Sequence, residues 1–170
     1  MGDEFYGIDI ENANKRAIEL IPEEFFWSCI DELAPFGSDE GDTALAEFRD
    51  WRKNNQNIPT IECLKWVIES VGEMEFVEYN QNLLSKETIK TQIEDKDFDD
   101  QQYIFTLDMS VIATGFGQLV DEGTIDQQNK QILNVAIERQ ILWSELQSNW
   151  ELADEYISNL NVLKRALALA

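Results

Sequence analysis

IDQQNKQILNVAIERQILWSEL, residues 125 to 146, decides the fold. Ile132, Val135, Ala136, Ile141, Leu142, Trp143 and Leu146 recur at helical spacing, with polar residues between them. Thr124 stands where an N-cap belongs, with Gln127 three residues on, a capping-box spacing. The pattern continues on both sides. Before it, Ile104, Leu107, Val111, Phe116 and Leu119 predict a helix over 99–121, stopped by Gly123. After it, Leu152, Ala153, Tyr156, Ile157, Leu160, Leu163 and Leu167 predict a last helix from about Asn149. The whole of 125–168 could instead be one helix kinked near Ser148 and Asn149. Trp143 and Trp150 lie one heptad apart and are expected to share a face. Gly115 and Gly117 inside the 99–121 helix predict close approach of neighbouring helices, since each costs about 1 kcal/mol against Ala in helix propensity.

Nearer the N-terminus, Ile61, Leu64, Val67, Ile68 and Val71, with Trp66 beside them, predict a helix opened at Pro59 or Thr60 and stopped by Gly72. Residues 74–98 are polar, with a helix start near Ser85. Phe76-Val77-Glu78-Tyr79 is the one strand candidate. Residues 11–20 read as a short amphipathic helix ended near Pro22. Residues 23–33 read as a helical turn or an irregular aromatic segment. The expectation is an all-α chain: one domain over 1–170, with an irregular, short-helix part over 1–40 and a helical bundle over 41–170.

A chain of 170 residues with 44% hydrophobic content can bury a sizeable core. Its best apolar run, Met109 to Val120, is short for a bilayer and is broken by two glycines. The N-terminal MGDEFYG shows neither a secretory pattern nor the Ser/Thr of a myristoylation signal. A cytoplasmic protein is expected, with Cys29 and Cys63 as buried free thiols.

Two counts narrow the function. There is no histidine, which removes Ser-His and Cys-His catalysis and the commonest transition-metal ligand. Enzymes remain only through carboxylates, lysine, tyrosine or an all-oxygen metal site, and no carboxylate set, Glu73, Glu75 and Glu78 included, stands out among 34 acids. Net charge is -21, which argues against nucleic acid and anionic membranes as partners. The stretches 17–48 and 97–129 carry acids without a single Lys or Arg. Such a surface suits an unidentified protein partner of basic character.

One segment looks built to a plan: PFGSDEGDTALAEFRDWRKNN, residues 35–55. Asp39 or Asp42 is placed to cap a helix, and acids in the first turn suit its positive end. Leu45, Phe48 and Trp51 form a buried side, and Arg49, Arg52 and Lys53 fall at the negative end. A calcium loop does not fit the spacing. If the segment is functional as well as capped, its candidate binding residues are Phe36, Gly37, Asp39, Asp42, Arg49, Trp51 and Arg52. No catalytic residue, metal or cofactor is assigned.

FFWSCIDELAPFGSDEGDTALAEFRDWRKNN, residues 25–55, resembles the opening motif of the YfeS-like proteins of bacteria, through FFW, PFGSDEG and FRDWR. GFGQLVDEGTIDQQNKQILNVAIERQ, residues 115–140, is similar to the same group, which is sometimes labelled as molybdate-metabolism regulators of the MolR type. The resemblance implies no activity, cofactor or catalytic residue, and the regulator label sits poorly with a chain that has no DNA-reading helix. The leading expectation is a non-catalytic interaction module of regulatory or immunity type. The alternatives are a carboxylate-based enzyme or small-ligand binder with a pocket between helices, and a nucleic-acid mimic. Asp97, Asp100, Asp108, Asp121 and Glu122 keep no clean helical stripe, which counts against the mimic.

Overall fold

The computed structural model describes residues 7–94, 103–147 and 149–170. Seven α-helices organise them: α1 (Lys15–Leu20), α2 (Asp39–Asn54), α3 (Ile61–Gly72), α4 (Lys86–Glu94), α5 (Tyr103–Glu122), α6 (Lys130–Glu145) and α7 (Ala153–Leu169). The fold is all-α, and short helical turns carry its less regular N-terminal part. Parts of the predicted 74–98 and 99–121 segments, including Asp97 and Asp100, lie outside the described residues, as does Ser148.

α5 is the axis. It is buried from Leu107 to Val120 without interruption, and it packs on α2, α3 and α6, while α6 packs on α7. By length and composition α5 could cross a membrane, a longer apolar element than Met109–Val120 suggested, but most of it is enclosed by the other helices. Its two glycines work on opposite sides. A Cβ at Gly115 would lie 2.3 Å from Leu133 Cδ2 of α6, and one at Gly117 would lie 3.1 Å from Leu45 Cδ1 of α2. The missing side chains therefore let both neighbours approach the axis, as expected from the sequence.

Several helix ends differ from expectation, and in each case another chemical group is better placed. Thr124 does not cap α6; a 3-10 turn over Gln127–Asn129 intervenes, and the helix starts at Lys130. Asp126 instead serves α3 across space, accepting from Thr60 N at 3.2 Å and Thr60 Oγ1 at 2.5 Å. Gly72 is the last residue of α3 rather than its stop. Glu73 takes the left-handed conformation at φ 49°, and Tyr103 Oη donates to the Gly72 carbonyl at 2.5 Å. The strand candidate at 76–79 is a 3-10 turn, Phe76–Glu78, closed by reciprocal bonds of Glu75 and Glu78. The predicted 11–20 helix splits into a turn at Ile10–Asn12 and α1, because Asn14 caps Arg16 N.

The single long helix over 125–168 is not formed. α6 and α7 are separate, and Asn149 in the connection takes φ 71°. Trp143 and Trp150 do meet, edge to face with centroids 5.9 Å apart. They meet because the chain turns between them, not because they share a helical face. Of the two thiols, Cys63 is buried as expected and Cys29 is exposed. The segment around Cys29 is a bend rather than a packed helix, so its apolar neighbours do not enclose it.

Candidate functional site: an acidic cleft with an aromatic wall

The PFGSDEG segment builds one side of the site, and close backbone packing shapes it. A Cβ at Gly37 would lie 2.2 Å from the Asp31 carbonyl oxygen, and one at Gly41 only 1.6 Å from the Pro35 carbonyl oxygen. Both glycines are there because the 31–35 backbone folds directly onto them. The cap of α2 is Ser38, whose Oγ accepts from Gly41 N at 3.0 Å. Neither Asp39 nor Asp42 caps the helix; Ser38 sits one residue earlier with its backbone extended, the geometry an N-cap needs. Asp39, Glu40 and Asp42 are thereby left in the first turn.

That turn opens onto a cleft of about 900 Å³. Glu32, Leu33, Gly37, Ser38, Asp39 and Glu40 line one side, with Cys29 and Ile30 at the bend. Ile93 of α4, Phe105 of α5, Trp143 of α6 and Trp150 line the other, with Gln147 and Asn149. The aromatic residues form a closed circuit with buried Tyr156. Phe105 meets Trp143 at 6.0 Å and Tyr156 at 6.3 Å; Trp150 meets Trp143 at 5.9 Å and Tyr156 at 5.6 Å. Three carboxylates face this cleft, and no Lys or Arg among the described residues lines it. A second, smaller groove of about 310 Å³ shares Asp39 and Glu40 and runs along α2 past Ala44 and Glu47 to Val67 and Val71.

The wall is held from behind by a buried network. Tyr156 Oη donates to Gln140 Oε1 at 2.6 Å, and Gln140 Nε2 donates to Asp108 Oδ2 at 2.9 Å. Arg139 donates to both oxygens of Asp108, and Tyr79 Oη donates to Oδ1 at 2.6 Å. Asp108 thus joins α5 and α6 to the segment before α4, and Tyr156 brings in α7. Burial, reinforced by the neighbouring Asp108 charge, holds the phenols of Tyr79 and Tyr156 well above their ordinary range. Burial opposes the Arg139 charge, but Asp108 outweighs it and holds the guanidinium above its ordinary value. These groups are occupied with one another, which is the condition for a buried charge to persist. Among the described residues, no three metal-ligating side chains come together.

The candidate residues of 35–55 are divided by the fold. Gly37 and Asp39 line the cleft. Phe36 is core, edge to face with Phe26 at 5.2 Å. Asp42 is exposed beside the Gly7 backbone. Arg49 and Arg52 staple α2 to the end of α5: Arg49 pairs with both oxygens of Asp121, and Arg52 with both of Glu122. Arg52 also donates to the Ile58 carbonyl at 2.7 Å and lies 5.6 Å from the Trp51 ring centroid. Glu40 joins Asp39 from the same turn of α2, and Glu32, Phe105, Trp143 and Trp150 are added to the site by tertiary structure. The Asp108–Arg139 pair is only half legible in the sequence: Asp108 is the one charge between Tyr103 and Val120, whereas Arg139 stands among Lys130, Glu138 and Glu145 in α6.

No protein-family model matches the chain, and no solved structure matches it. It is 25% identical over 146 residues to the uncharacterized protein YfeS of Escherichia coli (strain K12), a match that covers 85% of this chain and 57% of that protein. The chain therefore spans little more than half the length of its curated relative, and over most of its own length it is similar to the YfeS-like proteins.

Proposed function

We propose that the chain is a non-catalytic interaction module, of regulatory or immunity type, acting in the cytoplasm by binding a basic partner protein. The observation that carries this reading is the cleft: Glu32, Asp39 and Glu40 face it, and no described cation lines it. In a chain of net charge -21, the cleft sits in a field that draws cations in and repels phosphate. Tyr79, Tyr156 and Arg139, whose titration the interior perturbs, are tied into the network behind the wall rather than presented to solvent. Free thiols suit a reducing compartment.

The test is comparative capture from the source cell, with quantitative mass spectrometry. The baits are the wild-type chain and the charge-reversed variant Asp39→Lys/Glu40→Lys, each at low and high salt. A basic protein held by wild type, lost from the variant and weakened by salt is the expected result. Equal retention by both baits, or retention indifferent to salt, contradicts the proposal. A small molecule that raises the melting temperature in the absence of any such protein would favour a ligand-binding role for the same cleft.

A further inference from the structure

We infer that the cleft receives an arginine side chain from an exposed segment of the partner, the guanidinium set between the Asp39 and Glu40 carboxylates and the indoles of Trp143 and Trp150. This inference rests on the reading of the chain as a module for a basic protein. Its new content is the occupant. An acidic surface alone would accept any cation, but here the carboxylates share the lining of one cleft with Phe105, Trp143 and Trp150. Trp143 and Trp150 pack on each other and on Phe105 and Tyr156, yet both are only half-buried, so part of each residue remains accessible from the cleft. Cations are attracted to indole rings as well as to carboxylates. A guanidinium satisfies both requirements at once. It is planar, weakly hydrated, stacks on aromatic rings and pairs with carboxylates in a fork, whereas an ammonium is a compact and strongly hydrated point charge.

The apolar part of the cleft suits the rest of the same side chain. Ile30 is 84% exposed at the rim, an uncovered apolar surface against which the methylene stem of an arginine can lie while its head reaches the acids. The cleft volume of about 900 Å³ exceeds one side chain and accommodates the flanking residues of a segment. The continuation of the site past Asp39 and Glu40 into the groove along α2 gives that segment a direction in which to run.

The probes are butylguanidinium chloride and butylammonium chloride, titrated at constant ionic strength against sodium chloride. The readout is the indole N–H resonances in nitrogen-15 spectra. Trp143 and Trp150 are expected to shift saturably with butylguanidinium and more weakly with butylammonium, while Trp51 and Trp66 stay still. Asp39→Asn/Glu40→Gln removes the response, and unchanged Trp51 and Trp66 resonances show that this variant is folded. No saturable shift, an equal or stronger response to butylammonium, or an equal response in the variant overturns the assignment. If these probes fail while a basic protein is still captured in a salt- and charge-dependent way, the interaction reading stands and the arginine occupant falls. If both fail, the interaction reading falls with it.

Discussion

Arg139 and Asp108 close on each other inside the bundle, Nη2 to Oδ1 at 2.8 Å, with side chains 1% and 0% exposed. The pair joins α6 to α5 at the centre of the fold. Two charges so deeply placed are tolerated only because each satisfies the other and Tyr79 and Gln140 bond the remaining lone pairs of Asp108. Removing one partner leaves an uncompensated buried charge. Arg139→Met or Asp108→Leu alone is expected to lower stability by roughly 3–5 kcal/mol in urea denaturation. The double variant should lose clearly less than the sum of the two. Additive losses would show that the residues do not act as a pair.

The start of α2 separates capping from charge. Ser38→Ala is expected to cost about 0.5–2 kcal/mol, because it strips the bond to Gly41 N. Asp39→Ala should cost only about 0.3–1 kcal/mol through the helix dipole, yet it should weaken partner retention, since Asp39 faces the cleft. Thermal melts and capture on the same two variants check this. The reverse order of stability losses would return the cap to Asp39.

Glycine substitutions should rank by what a new Cβ meets. Gly41→Ala meets the backbone oxygen of Pro35 at 1.6 Å and should disrupt the segment. Gly115→Ala meets the side chain of Leu133 at 2.3 Å and should cost about 1–3 kcal/mol through overpacking. Gly117→Ala meets nothing nearer than 3.1 Å, and the gain of about 1 kcal/mol in helix propensity should offset it. Denaturation midpoints measured on all three variants decide the order.

Much of this architecture is legible in sequence because it is local. The apolar spacing places α3, α6 and α7, Gly123 ends α5 in a left-handed turn at φ 80°, and Ser85 starts α4 by accepting from Thr88 N. What escapes is non-local. Arg49 and Arg52 read as cations at a helix C-terminus, a sufficient local account, and their bonds to Asp121 and Glu122 cross about seventy residues of chain. The aromatic wall draws Phe105, Trp143 and Trp150 from three separate places. Heptad spacing links Trp143 to Trp150 but nothing links either to Phe105, and of the four cleft residues within the 35–55 motif, Gly37, Ser38, Asp39 and Glu40, the sequence reading singles out Gly37 and Asp39.

The Asp126 carboxyl gives the acid limb of stability a specific origin. Burial raises its pKa, but hydrogen bonds from Thr60 and Gln118 outweigh burial and hold it below the ordinary 3.8. A carboxyl depressed in the folded state stabilises the fold above its unfolded pKa, and that contribution is lost as pH falls through the folded value. Asp126→Asn should therefore flatten the decline of stability on acidification below about pH 4. An unchanged acid limb would place the proton uptake elsewhere.

The two thiols should differ sharply in reactivity. Cys29 is exposed, whereas burial pushes the Cys63 thiol up to about 12. Because the thiolate is the reactive form, a maleimide near neutral pH should modify one cysteine in the native protein and both after unfolding. Intact-mass spectrometry reads the stoichiometry. Rapid double labelling of the native chain would contradict the packing of α3.

Zero-length carbodiimide crosslinking of the captured complex tests the central claim most directly, because it joins a carboxylate only to an amine in contact with it. The prediction is that crosslinks to lysines flanking the partner's bound segment map to Glu32, Asp39 or Glu40, and that they fade as salt is raised. Crosslinks confined to the acids of α7, with Glu32, Asp39 and Glu40 unmodified, would show that the partner binds another face and that the cleft is not its site.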